Sequence, residues 1–99
     1  MLHIVNKSPF ERNSLDACLR LAEKGSSILF IEDGIYGALD NTSVADSVKA
    51  AMADHDLYVL SADLKVRGVD GRVVDGVTVV DYDGFVDLVV EKGPSNSWL

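Results

Sequence analysis

The stretch LHIVNKSPFERNSLDACLRLAEKGSSILFI, residues 2–31, decides the fold. It opens on a β-branched, apolar strand, Leu2–Asn6, which Lys7-Ser8-Pro9-Phe10 breaks because Pro9 has no amide donor. A helix follows. Ser14 is placed to cap it, Asp16 sets a negative charge in its first turn, and Gly25 stops it after about Lys24. Its apolar residues Leu15, Cys18, Leu19 and Ala22 recur at i, i+3, i+4 and i+7, one face of a helix. Ser27–Ile31 then reads as a second, fully buried strand. Two apolar strands joined by a helical crossover form a parallel pair, since a short turn can join only antiparallel neighbours.

The same rhythm continues outward. Glu32-Asp33-Gly34 reads as a polar turn and Ile35–Leu39 as a short helical turn. Thr42 or Ser43 begins a helix with Val44, Val48, Ala51 and Met52 on one face. Leu57–Leu60 is a third strand, and Ser61-Ala62-Asp63 opens a short helix closed at Gly68. Val77–Val80 is a fourth strand, although Asp75-Gly76 leaves open a hairpin between Arg72–Val74 and Val77–Val80. Asp83 is read as the cap of a last helix with Phe85, Leu88 and Val89 on one face, ended by Gly93-Pro94. Residues 95–99 carry neither helical nor strand period. The pattern predicts an α/β fold: a three-layer αβα arrangement with a mainly parallel sheet of four to five strands and right-handed crossovers. The 99 residues make one domain, 1–99.

Composition narrows the function. The formal net charge of −7 repels phosphate backbones and anionic lipid, which argues against direct nucleic-acid or membrane-surface binding. The apolar runs are far too short to span a bilayer, and the first residues lack the pattern of an export signal. A lone cysteine gives no internal disulfide, so the cytoplasm is the expected compartment. The 47% apolar content is generous for one small core and leaves material for a subunit interface.

Ligands of open α/β sheets gather at the carboxyl ends of the strands. That edge should hold Lys7, Ser8, Glu32, Asp33, Gly34, Tyr36, Ser61, Asp63, Asp81 and Asp83, an acidic group with Lys7 its clearest cation. The plain alternative is that these residues are caps and turn formers. No glycine follows the first strand to admit a phosphate, and Asn6-Lys7 stands where a receiver domain needs an acid pair. His3, Cys18 and His55 have no metal-ligand spacing, and no nucleophile elbow supports a Ser-His-Asp triad. No cofactor or metal is expected.

Cys18 stays open at this level. Its position on an apolar stripe suits a small core residue. Its place within the first turn and a half of the helix, with Lys7, Arg12 and Arg20 near in sequence, suits a reactive thiolate, with Lys7 as its stabiliser.

Several segments, in order and spacing across the whole chain, resemble the DsrH/TusB family of sulfur-relay subunits. They are MLHIVNKSPF at residues 1–10, EDGIYGAL at 32–39, YVLSADLKVRG at 58–68, Asp81-Tyr82 with Phe85–Leu88, and Ser97-Trp98-Leu99. The stretch from Asn6 to Leu15, together with Cys18, resembles the DsrH branch, which serves dissimilatory sulfur oxidation, more than the TusB branch, which serves 2-thiouridine formation on tRNA. The resemblance implies a DsrEFH-like fold and a heterohexamer with DsrE-like and DsrF-like subunits, two copies of each. It implies transfer of persulfide sulfur to a DsrC-like or TusE-like carrier. The principal sulfur-bearing cysteine would lie on the DsrE-like partner, and Cys18 would be an accessory thiol or, in a purely structural subunit, an inert one. Ile35, Tyr36, Trp98 and Leu99 are the expected interface residues.

Overall fold

The computed structural model describes residues 1–98; Leu99, one of the expected interface residues, lies outside them. Five strands, β1 (Leu2–Val5), β2 (Ser27–Phe30), β3 (Asp56–Leu60), β4 (Thr78–Val80) and β5 (Ser95–Trp98), alternate with helices α1 (Ser14–Leu21), α2 (Ala45–Ala51), α3 (Ser61–Val66) and α4 (Tyr82–Lys92). A 3-10 turn, Glu32–Ala38, links β2 to the segment before α2. All strand pairs are parallel, in the order β4-β3-β2-β1-β5.

That order fixes the layers. The chain steps from β1 to β4 in one direction, with α1, the 3-10 turn, α2 and α3 on one face of the sheet. It then returns past three strands to β5, with α4 on the opposite face. Reversing direction while keeping one crossover hand requires the change of face. The two cores are unequal as a result. Val5, Ile28, Phe30, Leu57 and Val59 pack against Leu15, Cys18, Ile35, Val48 and Leu64 in the larger one. Leu2 and Leu29 meet Leu88 in the smaller, with Ile4, Tyr58 and Phe85 beside them. The alternation of sheet faces along each strand sorts these two sets.

Several local expectations are corrected. Residues 95–98 form a strand: β5 pairs with β1 in the register Val5↔Trp98, although its polar sequence has no strand period. It lies at the sheet edge, where one polar face suits solvent. Asp81, not Asp83, caps α4, its carboxylate accepting from Gly84 N–H at 2.8 Å. Ser14 is the first residue of α1 rather than its cap, and the helix ends three residues before Lys24. The Asp75-Gly76 turn exists, closed by Val77 N–H to Val74 C=O at 3.2 Å, with Gly76 at φ +99°. No hairpin follows it. Val73 bridges Leu39 instead, Val74 is buried in the larger core, and β4 goes on to pair with β3.

Candidate functional site

At the carboxyl edge of the sheet, α3 starts directly from β3 and presents Asp63 and Arg67 one turn apart. Asp63 Oδ2 accepts from the backbone N–H of Glu32 at 2.7 Å, bracing Glu32 at φ 50°, a left-handed conformation costly for a side-chain-bearing residue. Arg67 reaches back across the same gap. Its Nη2 and Nε both donate to Asp33 Oδ1, at 2.9 and 3.3 Å, and its Nη1 donates to the Asp63 carbonyl at 3.3 Å. Hydrogen bonding to Asp33 raises the guanidinium pKa above its ordinary value, so it is a permanent cation here. The expected acidic edge is therefore a clamped network that ties α3 to the 3-10 turn. Its counter-charge is Arg67, which reading the sequence for strand ends passes over. The i, i+4 spacing of Asp63 and Arg67 is the signal that could have found it.

Of the other residues expected at this edge, Gly34, Ser8 and Tyr36 serve local structure or packing. Gly34 lies so close to Val5 and Asn6 that a β-carbon there would overlap the Val5 carbonyl oxygen. Ser8 is buried and accepts from Phe10 N–H at 3.2 Å, and its carbonyl receives Glu11 and Arg12. Tyr36 is half-buried against the larger core. Asn6 Oδ1 is buried without a hydrogen-bond partner among the described residues. No nucleophile, base and oxyanion donor converge among these groups.

Cys18 is 0% exposed and sits inside the larger core. Burial alone pushes its thiol up to about 12, and Lys7 makes no opposing contribution. The cations near it in sequence add no opposing shift, and desolvation disfavours the charged form. A cleft of about 470 Å³ lies alongside α1 and is bounded by Phe10, Arg12, Leu15, Leu19, Val44 and Ser47 among others, but Cys18 is not part of its wall. The sulfur is sealed from the surface of this chain.

Of the interface candidates, Ile35 is fully buried in the larger core and is not available at the surface. Trp98 turns inward. Its Nε1–H donates to Nδ1 of buried His3 at 3.0 Å, with ring centroids 5.9 Å apart. Because Nδ1 accepts, the His3 ring is neutral and carries its proton on Nε2. A second buried imidazole, His55, lies with Nδ1 3.1 Å from the Ser26 carbonyl. Among the described residues no group of His, Cys, Asp or Glu is arranged to hold a metal ion, and no helix is long and apolar enough to cross a membrane.

The fold is similar to the ychN protein from E. coli (TM-score 0.82, 15% identity, 97% of each chain). It is also similar to a protein of unknown function from Methanobacterium thermoautotrophicum (TM-score 0.74, 15% identity, 97% and 96% of the two chains). The sequence carries more. It is 37% identical to Protein TusB of Erwinia tasmaniensis over 98 residues, covering 99% of this chain and 100% of that protein. Protein TusB of Escherichia coli O1:K1 is 33% identical and that of Shigella flexneri 32%, over the same extent. Residues 7–94 match the family described as DsrH like protein. The chain belongs to the DsrH/TusB family.

Proposed function

We propose that this chain is the TusB-like subunit of a cytoplasmic sulfur relay for tRNA 2-thiouridine synthesis, and that it contributes surface rather than a sulfur-bearing thiol. Membership of the family carries membership of a sulfur-relay complex with other subunits. The observation that supports the branch is the full-length similarity to proteins named TusB. It outweighs the Asn6–Leu15 stretch and Cys18, which resemble the sulfur-oxidation branch.

In this reading a thiolate on a companion subunit attacks the outer sulfur of a donor persulfide, forming a new S–S bond as the donor thiolate leaves. The sulfur then passes to a TusE-like carrier by the same exchange. Such attack needs an accessible thiolate. The sealed thiol of Cys18 does not meet that need, which supports a structural part for this chain beside DsrE-like and DsrF-like companions, two copies of each.

The test is direct. The complex is reconstituted with its companions, loaded from a sulfur donor, and weighed as intact chains. The expected result is a gain of one sulfur atom on a companion and none on this chain, with sulfur accepted by a TusE-like and not a DsrC-like carrier. Sulfur on this chain that disappears in Cys18→Ser overturns the structural part, and preference for the DsrC-like carrier overturns the branch.

A further inference from the structure

Among the described residues α4 is the one helix packed on its face of the sheet, and its outer side is unusual. Phe85 and Leu88 turn inward, with Leu88 buried in the smaller core. On the opposite side Tyr82, Val86 and Val90 lie at i, i+4 and i+8 and are 62%, 60% and 78% exposed, with Val89 beside them at 40%. This is a continuous apolar column on a helix whose inner face is already satisfied. A second column runs next to it: Asp83, Asp87 and Glu91, also at i, i+4 and i+8, all exposed. None of the three is in an ion pair among the described residues, and Lys92 is the only base on the helix.

We infer that the outer face of α4 is the docking surface for a different chain, a companion subunit whose element carries an apolar stripe flanked by lysine or arginine. This deepens the subunit reading above and rests on it. The apolar column accounts for burial, since scattered single apolar residues are ordinary but a contiguous stripe on one helix marks an interaction site. The acidic column selects the partner. A basic row at the i, i+4 repeat of a packed helix would meet each carboxylate in turn. A second copy of this chain is the wrong occupant. Antiparallel two-fold packing of α4 on α4 would bring both acidic columns to the same edge. Parallel packing would leave each column facing a helix with a single lysine. Two chains of net charge −7 repel in either case.

The experiment co-expresses the full chain with its two companion subunits and measures assembly by size exclusion with light scattering. Val86→Glu combined with Val90→Glu, and separately Asp83→Lys with Asp87→Lys and Glu91→Lys, are expected to weaken assembly roughly tenfold or more. Val66→Glu, at an exposed apolar residue of α3, is expected to assemble as the parent does. Circular-dichroism melts confirm folding, and the lysine variant keeps the test valid should the valine variant melt early. Assembly of both α4 variants at the parent level overturns the proposal while leaving the subunit reading intact. So does equal loss in all three variants, or a dimer of the isolated chain that Val86→Glu dissolves. Failure of the parent chain to join either companion overturns the subunit reading as well.

Discussion

The indole N–H of Trp98 donates to Nδ1 of His3 at 3.0 Å, joining the edge strand β5 to the interior of β1 across 95 positions of sequence. The register Val5↔Trp98 makes His3 and Trp98 diagonal neighbours on one face of a parallel pair. His3 must be neutral to accept. Burial holds its pKa below the ordinary value of 6.5, helped by the N-terminal amine and His55 and opposed by Glu23.

This bond makes the β5 edge sensitive to acid. The unfolded chain takes up a proton on His3 near its ordinary value, the folded chain only at lower pH. The stabilisation is therefore whole above about pH 6.5 and is lost as pH falls from there through the folded pKa. Trp98 is the only tryptophan, so its emission should change with a midpoint below 6.5. In His3→Gln that step should vanish. A step of the same midpoint in His3→Gln would assign it to another group.

Cys18→Ala should lower stability by about 1 kcal/mol, the cost of a small cavity in a packed core. Cys18→Ser should cost about 1–3 kcal/mol, because it sets a hydroxyl among apolar side chains. Neither should slow sulfur transfer by the assembled complex under conditions where it remains folded. Denaturant melts and thiol labelling check this: the native thiol should be inert to alkylation and react only on unfolding.

Gly34→Ala should destabilise by about 2–3 kcal/mol, at the upper end for overpacking, because the atoms in the way are backbone and cannot rotate aside. Gly25→Ala makes a useful contrast. Its site is open, and the penalty there should come from its φ of +87° alone. Urea midpoints of the two variants separate steric overlap from backbone conformation.

Asp81→Ala should cost about 1 kcal/mol through loss of the α4 cap. Asp83→Ala should cost only a few tenths, the worth of a first-turn carboxylate beside the helix dipole. Equal losses from the two would contradict the assignment of the cap to Asp81.

Arg67→Met should loosen the 3-10 turn by about 1 kcal/mol, since Asp33 is more than half exposed and water screens its pair. Added salt should weaken the parent more than the variant. Hydrogen exchange at Glu32, whose N–H is held by Asp63, is the local readout.

Local pattern determined much of this protein. The apolar spacing of α1, the buried runs of β2 and β3 and the glycine stops wrote an α/β fold into the chain, and segment order was enough to point to the family. These signals lie within a few residues of one another, where helix and strand periods act. What the tertiary structure decided depends on residues far apart. Ser95–Trp98 became a strand because β1 offered an unpaired edge, not because of its own composition. The charge at the carboxyl edge resolved into Arg67 gripping Asp33 over 34 positions. For Cys18 the local pattern offered both a core residue on an apolar stripe and a thiolate near a helix start, and depth favours the first: desolvation depends on what the rest of the fold stacks over the sulfur.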